Sequence, residues 1–352
     1  MALVWIDGFD KYGTTPGALC SPTGIMRTRY HQRQDRAYTF TGRYGGMAIG
    51  VAYDKNAWIQ TPHLTTNSTL IIGFSLYVPS THTAHEMFQL RSETNYYDIN
   101  DGGISVWINA DESLTIKRGT TTLGTSAALV ITENSWHSFE LKLVTNDSTG
   151  SYEIRIDDTD VLSDSGVDTR QGSDDYHSVV RFTGGGGTVA AYVCRFDDFW
   201  VCDGTGSVNN DFLGSEMRVA TISPNADGDD SDWDEVPPGN HYSSVNEAEQ
   251  DDTKYIEDAA VTHLDLFAYE SMPSVGAIKG VLAVTECKST EPDEWTLKSV
   301  VKHSTTEDAD SGQVVGTDDW KCLCRMMEEN PVTATAWTES DINNLQAGVE
   351  VG

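Results

Sequence analysis

The sequence predicts an all-β protein with two β-rich domains. Short runs of β-branched and aromatic residues recur along the chain and are separated by polar, Gly-containing turns, a texture typical of β sandwiches. Patterns of amphipathic helices are almost absent. A length of 352 residues is comfortable for two domains, and acidic residues become denser in the second half. We therefore expect a β sandwich at residues 1–205 and an acidic β-rich domain at residues 206–352.

The first domain is predicted to contain about a dozen strands, enough for two packed sheets. In residues 136–145, Phe139, Leu141 and Leu143 alternate with polar residues, which predicts one core face and one wet face. Residues 69–78 are almost continuously apolar and indicate a central strand. The predicted strands are residues 3–6, 37–40, 47–53, 69–78, 85–91, 103–109, 113–118, 128–132, 136–145, 152–157, 177–182 and 190–202.

The last of these strands carries two adjacent acids, Asp197 and Asp198, among aromatic residues. Neighbouring residues of a strand point to opposite faces, so we expect only one of the two carboxyl groups to be buried. A buried carboxylate needs partners. We expect it to cap backbone amides, or to pair with Arg195 or with donors of the N-terminal loop at Asp7, rather than to act in catalysis.

The second domain is predicted to combine a few strands with long acidic surface loops, at residues 223–240 and 304–310. Its predicted strands are residues 217–222, 263–269, 277–286, 296–301 and 320–326. One short helix is expected near the C-terminal end, with Thr338 or Ser340 as its N-cap, running through Ile342 and Leu345 to Gln346.

The charge balance argues against polyanionic partners. The chain has 23 Lys and Arg against 54 Asp and Glu, a net charge of −31, and no basic patch is visible in the sequence. Such a charge disfavours nucleic acid and anionic membranes, favours solubility and leaves cation binding open. No run of 18 apolar residues and no signal-peptide pattern occurs, so we expect no membrane span and no export by the usual route. The six cysteines lack zinc-ligand spacing and are expected to be reduced thiols.

No motif for zinc proteases, phosphate loops, dinucleotide binding or nucleophile elbows is present. We therefore expect a protein that is not an enzyme and has no cofactor, with calcium as the one open possibility. Residues 225–235 resemble the acidic, Gly-bent loops that wrap calcium, and Asp227, Asp229 and Asp232 are the candidate ligands. The alternative is a solvated acidic loop.

Aromatic side chains in exposed loops could stack on sugars. Tyr97 and Trp233 are the candidate glycan-binding residues, and Trp58, Trp107 and Tyr242 are also eligible. The alternative is that most of these rings pack in cores or interfaces.

Residues 1–205 resemble the concanavalin A-like lectin/glucanase superfamily, including its laminin-G-like members. The resemblance is carried by Phe9-Asp10 and by four segments, residues 74–79, 136–142, 152–157 and 196–200. It implies a jelly-roll sandwich whose last strand lies beside the first, with Asp197 or Asp198 near Asp7 and Phe9. The clustered Glu-x-Asp-x-x-Glu motif of the glucanases is absent, so hydrolase activity is not implied.

The whole chain is similar to large structural proteins of tailed bacteriophages, through residues 209–218, the acidic loop up to Trp233, His241-Tyr242 and residues 331–348. This resemblance implies a virion component, in an outer capsid decoration or the tail, assembled in the host cytoplasm. Other virion proteins and copies of the same chain would be its partners. An adhesin for host surface glycans is the alternative, and a polysaccharide-degrading enzyme is a third reading.

Overall fold

The computed structural model describes residues 2–12, 26–33, 37–51, 57–92, 103–184, 193–247, 253–274, 276–290, 295–316 and 320–352. The chain divides into two compact units, Met1–Val219 and Ala220–Gly352. This boundary lies beyond residue 205, where the sequence predicted it, because residues 206–219 bind to the first unit. The backbone N–H groups of Leu213 and Gly214 donate to Glu140 Oε1, each at 2.9 Å, and that of Val219 donates to Asp198 Oδ1 at 2.8 Å.

Unit 1 is built almost entirely of antiparallel strands. They are β1 Leu3–Asp7, β2 His31–Arg33, β3 Ala37–Thr41, β4 Met47–Val51, β5 Trp58–Gln60, β6 Thr69–Tyr77, β7 His85–Arg91, β8 Ile104–Ile108, β9 Leu114–Arg118, β10 Thr121–Thr125, β11 Trp136–Val144, β12 Gly150–Ile156, β13 Thr159–Val167, β14 Val179–Thr183 and β15 Arg195–Cys202, with a short helix, α1, at Met26–Arg29. The eight-stranded sheet has the order β13-β12-β11-β6-β15-β4-β3, with β1 paired to β15. The seven-stranded sheet has the order β10-β9-β8-β7-β14-β5-β2.

The two sheets pack face to face around an aromatic core. Phe74 of β6 stacks on Phe139 of β11 at 4.7 Å between ring centroids and meets Phe88 of β7 edge-on at 5.5 Å. Phe182 of β14 lies 4.5 Å from Phe196 of β15. Since these contacts join both sheets, the hydrophobic core is the layer between them. The predicted all-β, jelly-roll sandwich is confirmed.

Burial along β11 follows the pattern predicted from its sequence, with one exception. Phe139, Leu141 and Leu143 lie in the core as predicted. Glu140, on the face predicted to be wet, is also buried, because it accepts the two hydrogen bonds from Leu213 and Gly214. β6 is central as predicted, between β11 and β15.

The closing strand β15 lies beside β1, with Asp7 opposite Phe199. Both Asp197 and Asp198 are buried, so the prediction that only one is buried is wrong. The cause is a register shift between Asp197 and Trp200 together with a left-handed backbone at Asp198, φ 51°, which interrupts the strict alternation of faces.

Unit 2 is a separate β structure. Its elements are β16 Pro224–Ser231, β17 Asp234–Val236, β18 Tyr255–Glu257, β19 Leu264–Tyr269, β20 Val281–Cys287, β21 Trp295–His303, β22 Thr306–Ala309, β23 Gln313–Val315, β24 Lys321–Met327, β25 Glu329–Asn330, β26 Thr335–Ala336, helix α2 Glu339–Asn343 and β27 Leu345–Val351. Six strands form the sheet β16-β19-β27-β21-β22, with β23 on β21. The pairs β17-β18, β20-β24 and β25-β26 form separate ribbons.

Several sequence predictions differ from these elements. Residues 128–132 form turns rather than a strand, and residues 217–222 form no strand. Much of the acidic stretch expected to be a loop is strand β16, which pairs with β19. No helix in the described part of the chain has the length and apolar character needed to cross a bilayer.

Candidate functional site

The outer face of the seven-stranded sheet carries an unusual set of polar and aromatic side chains. Residues such as Ile59, Val106 and Phe182 point into the core, and the residues between them point to the other face. We call this outer set the polar face. It consists of Trp58, Gln60, Glu86, Gln89, Arg91, Ser105, Trp107, Thr115, Lys117, Arg181 and Thr183.

Strand register places five of these residues in one row. Gln60 of β5 lies opposite Arg181 of β14, and Arg181 lies opposite Gln89 of β7. Gln89 in turn faces Ser105 of β8, which faces Lys117 of β9. Because neighbouring strands lie about 4.8 Å apart, the row extends across about 19 Å of sheet. Gln60 and Arg181, at one end of the row, are 0% and 1% exposed, whereas Lys117, at the other end, is half-buried.

Hydrogen bonds fix the side chains of the row. Arg181 Nε donates to Gln60 Oε1 at 2.7 Å, and Arg91 Nη1 donates to Gln89 Oε1 at 2.9 Å. Gln89 Nε2 donates to Glu86 Oε1 at 2.8 Å. The positions of the guanidinium and amide groups are therefore set before any ligand arrives.

Two tryptophans of the polar face lie under cations. The Arg181 guanidinium lies 4.2 Å from the Trp58 ring centroid, and the Lys117 ammonium lies 3.9 Å from that of Trp107. Each cation is attracted to the face of the ring, so a charged group and an apolar ring lie side by side. Sugar rings and carboxylates are recognised by this combination of an aromatic ring with charged and amide groups.

The polar face is largely withdrawn from water and is positively charged. Arg91 and Arg181 are each 1% exposed. Among the described residues, the face has three cationic side chains, Arg91, Arg181 and Lys117, and one carboxyl group, Glu86. Burial raises the pKa of Glu86, and the hydrogen bond from Gln89 and the charges of Arg181 and Arg91 offset part of that shift. The cations of the face are held by the amide and aromatic side chains described above, and an anionic group placed beside them would be attracted to their charge.

Donors of the polar face that lack a hydrogen-bond partner within the described residues include two on neutral side chains. They are Trp58 Nε1 and Gln60 Nε2, on side chains of residues that are 4% and 0% exposed. A buried donor without an acceptor costs about 1–3 kcal/mol. A ligand rich in oxygen acceptors would remove that cost.

The sequence analysis identified only the aromatic part of this site. Trp58 and Trp107, considered there as sugar-stacking residues, lie on the polar face. Gln60, Arg91 and Arg181 were missed. The pattern that could have identified them is a polar residue between apolar neighbours in a short strand. Arg181, between Val180 and Phe182 in the Val179–Thr183 segment, is an example.

The two remaining glycan candidates are not among the described residues of the polar face. Tyr97 is outside the described residues. Trp233 belongs to unit 2, where its ring packs against the cluster of Leu297, Val315 and Val349, and its Nε1 donates to the His263 carbonyl at 3.2 Å. These are the contacts of a packing residue, and a glycan role for either residue stays a prediction.

The three candidate calcium ligands bind different partners. Asp227 Oδ1 accepts from Tyr242 N at 2.8 Å, Asp232 Oδ2 accepts from Leu264 N at 3.2 Å, and Asp229 lies 3.4 Å from Lys302 Nζ. Among the described side chains, these three do not form a group of ligand atoms within 4.8 Å of one another. Calcium binding at this stretch stays a prediction.

The two buried acids of β15, Asp197 and Asp198, accept hydrogen bonds from backbone N–H groups of other segments. Asp197 Oδ2 accepts from Arg43 N, and Asp198 accepts from Ser75 Oγ and Val219 N, all at 2.8 Å. The prediction that a buried acid here caps backbone amides is confirmed. Burial and the neighbouring Asp198 raise the pKa of Asp197 to about 7, and burial also raises the pKa of Asp198.

The fold and the polar face define unit 1 as a jelly-roll sandwich of the concanavalin A-like architecture with a polar, aromatic outer sheet face. No protein-family model matches the chain. No curated protein matches it either.

Solved structures with similarity to the chain have the same sandwich architecture. The endo-1,3-β-glucanase of Streptomyces sioyaensis is 12% identical with a TM-score of 0.39, over 57% of this chain and 95% of that chain. The endo-β-1,4-glucuronan lyase of Trichoderma reesei is 12% identical with a TM-score of 0.37, over 49% and 90%. The exoplasmic/lumenal domain of VIP36 in its Ca²⁺/Man-bound form is 7% identical with a TM-score of 0.36, over 57% and 96%.

The prediction that the protein is not an enzyme is wrong. It rested on the lack of a known catalytic motif, and the similar structures include a lyase and a glucanase. A missing motif is no ground for excluding an enzyme, because function depends on the site and not on the fold.

Proposed function

We propose that unit 1 binds a carbohydrate chain bearing acidic groups on its polar face. The observation that carries the proposal is the row from Gln60 through Arg181 and Gln89 to Lys117, with two buried donors beside it that lack acceptors. Arginine binds carboxylates and sulfates through two parallel hydrogen bonds, and the amides and tryptophans suit hydroxyl groups and sugar rings.

The overall charge of −31 does not oppose this proposal at contact distance. Charges are screened over about 8 Å at physiological ionic strength, so the nearby Arg91, Arg181 and Lys117 dominate the potential that a bound group experiences. The acidic residues elsewhere on the surface mainly slow the diffusion of an anionic ligand towards the protein.

A second candidate function, cleavage of the bound chain, is favoured by Glu86. Its carboxyl group lies among the arginines of the face, and burial raises its pKa. A carboxyl that keeps its proton to higher pH is the kind of group that general acid–base catalysis uses.

Replacing Arg181 tests the binding proposal. Arg181→Gln removes the guanidinium that links Gln60 and Trp58, and we expect at least a tenfold loss of affinity for an acidic polysaccharide such as a polyuronate, measured by titration calorimetry. Arg170→Gln is the matched control, since it removes the same charge from a surface side chain that pairs with Asp147 and Asp175.

Unfolding curves of both variants must stay cooperative for the comparison to hold. Equal affinities of the two variants, or no binding of acidic or neutral polysaccharides by the intact chain, would contradict the proposal.

We also propose that the protein is a virion component, with other virion proteins and copies of itself as partners. What supports this is the resemblance of residues 209–218 and 331–348 to tailed-phage structural proteins. Mass spectrometry of purified particles tests it, and particles that lack the chain would contradict it.

A further inference from the structure

Three loops at one end of the sandwich bring together a histidine and two glutamates. The loops connect β6 to β7, β8 to β9 and β10 to β11, and they contribute His82, Glu112 and Glu133. One nitrogen or carboxylate oxygen from each residue lies within 4.8 Å of the other two. These residues are not part of the polar face, and no sequence motif joins them, because each comes from a different loop.

The His82 ring is held in a defined orientation. Its side chain is 2% exposed, and Nε2 lies 3.0 Å from the Asn109 carbonyl oxygen. With Nε2–H donating to that carbonyl, the lone pair of the ring is on Nδ1. Metal-binding histidines are typically oriented in this way, by a carbonyl that accepts from the second nitrogen.

The atoms around Nδ1 are all electron donors. Nδ1 lies 3.2 Å from the Pro79 carbonyl oxygen and 3.3 Å from Glu133 Oε1, and the Glu112 carboxylate lies within 4.8 Å. A metal ion at this point would bond to Nδ1 and to both oxygens, whereas a hydrogen on Nδ1 pairs mainly with one of them. Zinc bonds to nitrogen and oxygen of about 2.0–2.1 Å put tetrahedral ligand atoms about 3.3–3.4 Å apart. The distances from Nδ1 to the Pro79 oxygen and to Glu133 Oε1 are close to this spacing.

Backbone hydrogen bonds hold the loops in place before any ion binds. Leu129 N donates to the Asp111 carbonyl at 2.9 Å, and Asn134 N donates to the Val78 carbonyl at 2.8 Å. The third loop is thereby attached to the other two. A site built on attached loops loses little conformational entropy when it takes an ion.

We propose that His82, Glu112, Glu133 and the Pro79 carbonyl bind a divalent transition-metal ion, with Zn²⁺ best matched to the donor set. The imidazole nitrogen disfavours Ca²⁺ and Mg²⁺, which take oxygen ligands. The ion would join three loops that are otherwise linked by a few hydrogen bonds.

Metal titration of variants tests the site. The full-length chain is stripped with a chelator and titrated with Zn²⁺ by calorimetry, with Ca²⁺ as comparator. We expect one Zn²⁺ whose affinity falls at least tenfold in Glu112→Gln and in Glu133→Gln. Glu153→Gln is the matched control, because Glu153 pairs with Arg155 on β12 away from these loops. The control should bind like the wild type.

Zinc should also raise the melting temperature of the wild type and not that of Glu133→Gln. Zn²⁺ affinity unchanged in both glutamate variants would overturn the proposal, because the ion would then be bound elsewhere, for example by thiols. So would NMR spectra of the stripped protein at neutral pH in which both His82 ring nitrogens carry protons. In that case the positive centre is an imidazolium paired with Glu133. An unprotonated Nδ1 supports the metal site.

Discussion

At the scale of single residues, the candidate site depends on where polar side chains occur within apolar strands. Arg181 lies between Val180 and Phe182, both in the core, and is itself 1% exposed. Burying a guanidinium is unfavourable unless it has partners or a ligand. A charged residue buried on the outer face of a sheet therefore indicates the location of a candidate site better than the many exposed acidic residues do.

Glu86 is the residue that separates binding from cleavage. Glu86→Gln keeps the size of the side chain and removes the proton that it could transfer. If the wild type cleaves the bound chain, we expect the variant to bind with similar affinity and to lose at least about 100-fold in rate, in keeping with general acid–base contributions. The measurement is the release of new chain ends. A wild type that binds without releasing ends would contradict the cleavage function and leave binding intact.

Asp197 predicts how stability depends on pH. Its folded-state pKa is raised from 3.8 to about 7, mainly by burial and then by Asp198. A raised folded pKa gives stability that is fully present below the unfolded pKa and is lost as pH rises towards 7. The loss amounts to at most about 4 kcal/mol at 1.36 kcal/mol for each pKa unit.

We therefore expect the wild-type free energy of unfolding to fall more than that of Asp197→Asn between about pH 5 and about pH 8. The lower value lies inside the interval in which the folded and unfolded states differ in protonation of Asp197, and the upper value lies above it. Urea denaturation at the two pH values measures this. Asp164→Asn, at an exposed position of β13, is the control. An equal fall in the wild type and Asp197→Asn would show that Asp197 is ionised throughout.

At the scale of elements, long periodic segments were predicted well and irregular ones were not. The strand predicted at residues 136–145 is β11, because its alternating Phe and Leu residues have one sheet face to occupy. Residues 128–132 are also largely apolar but form turns, and they connect β10 at the edge of one sheet to β11 in the other. Strand β16 was missed because its pairing to β19 overrides the low β propensity of its Asp and Gly residues.

Helix α2 shows how local chemistry sets an element boundary. Thr338 Oγ1 accepts from Asp341 N at 3.1 Å, and Asp341 Oδ2 accepts from Thr338 N at 2.8 Å, which forms the predicted cap. The helix ends at Asn343 rather than continuing to Gln346. Leu345, Ala347, Val349 and Val351 alternate as the buried positions of β27, a strand signal that outweighs the helix.

Removing the cap should weaken unit 2. We expect Thr338→Ala to lower the free energy of unfolding by about 0.5–2 kcal/mol, the usual range for a lost N-cap. Thermal or urea unfolding measures the effect. Thr306→Ala, at an exposed position of β22, should change stability by less than about 0.5 kcal/mol. Equal effects of the two substitutions would mean that the cap contributes nothing to stability.

At the scale of the whole molecule, charge and function are distributed unequally. Residues 206–352 carry 8 basic and 30 acidic side chains, whereas the polar face in unit 1 is locally positive. Net charge alone therefore misleads about ligands. The fold class could be predicted from strand patterns, but the polar face could not, because it depends on the register of five strands that lie far apart in sequence.

The metal site on the three loops was invisible in the sequence for the same reason. His82, Glu112 and Glu133 are separated by stretches that hold whole strands, and only the return of the chain to one end of the sandwich brings them together. Spacing rules detect ligands that share one loop or helix. They do not detect ligands that come from three separate loops, one within a sheet and two between the sheets.

The most direct test of the account is a crystal structure of the chain with an acidic oligosaccharide. We expect sugar rings along the row from Gln60 to Lys117 and an acidic group within hydrogen-bond distance of Arg91 or Arg181. We also expect ligand oxygens that accept from Trp58 Nε1 and Gln60 Nε2. An oligosaccharide bound elsewhere, for example beside Trp233, with the polar face unoccupied would contradict it.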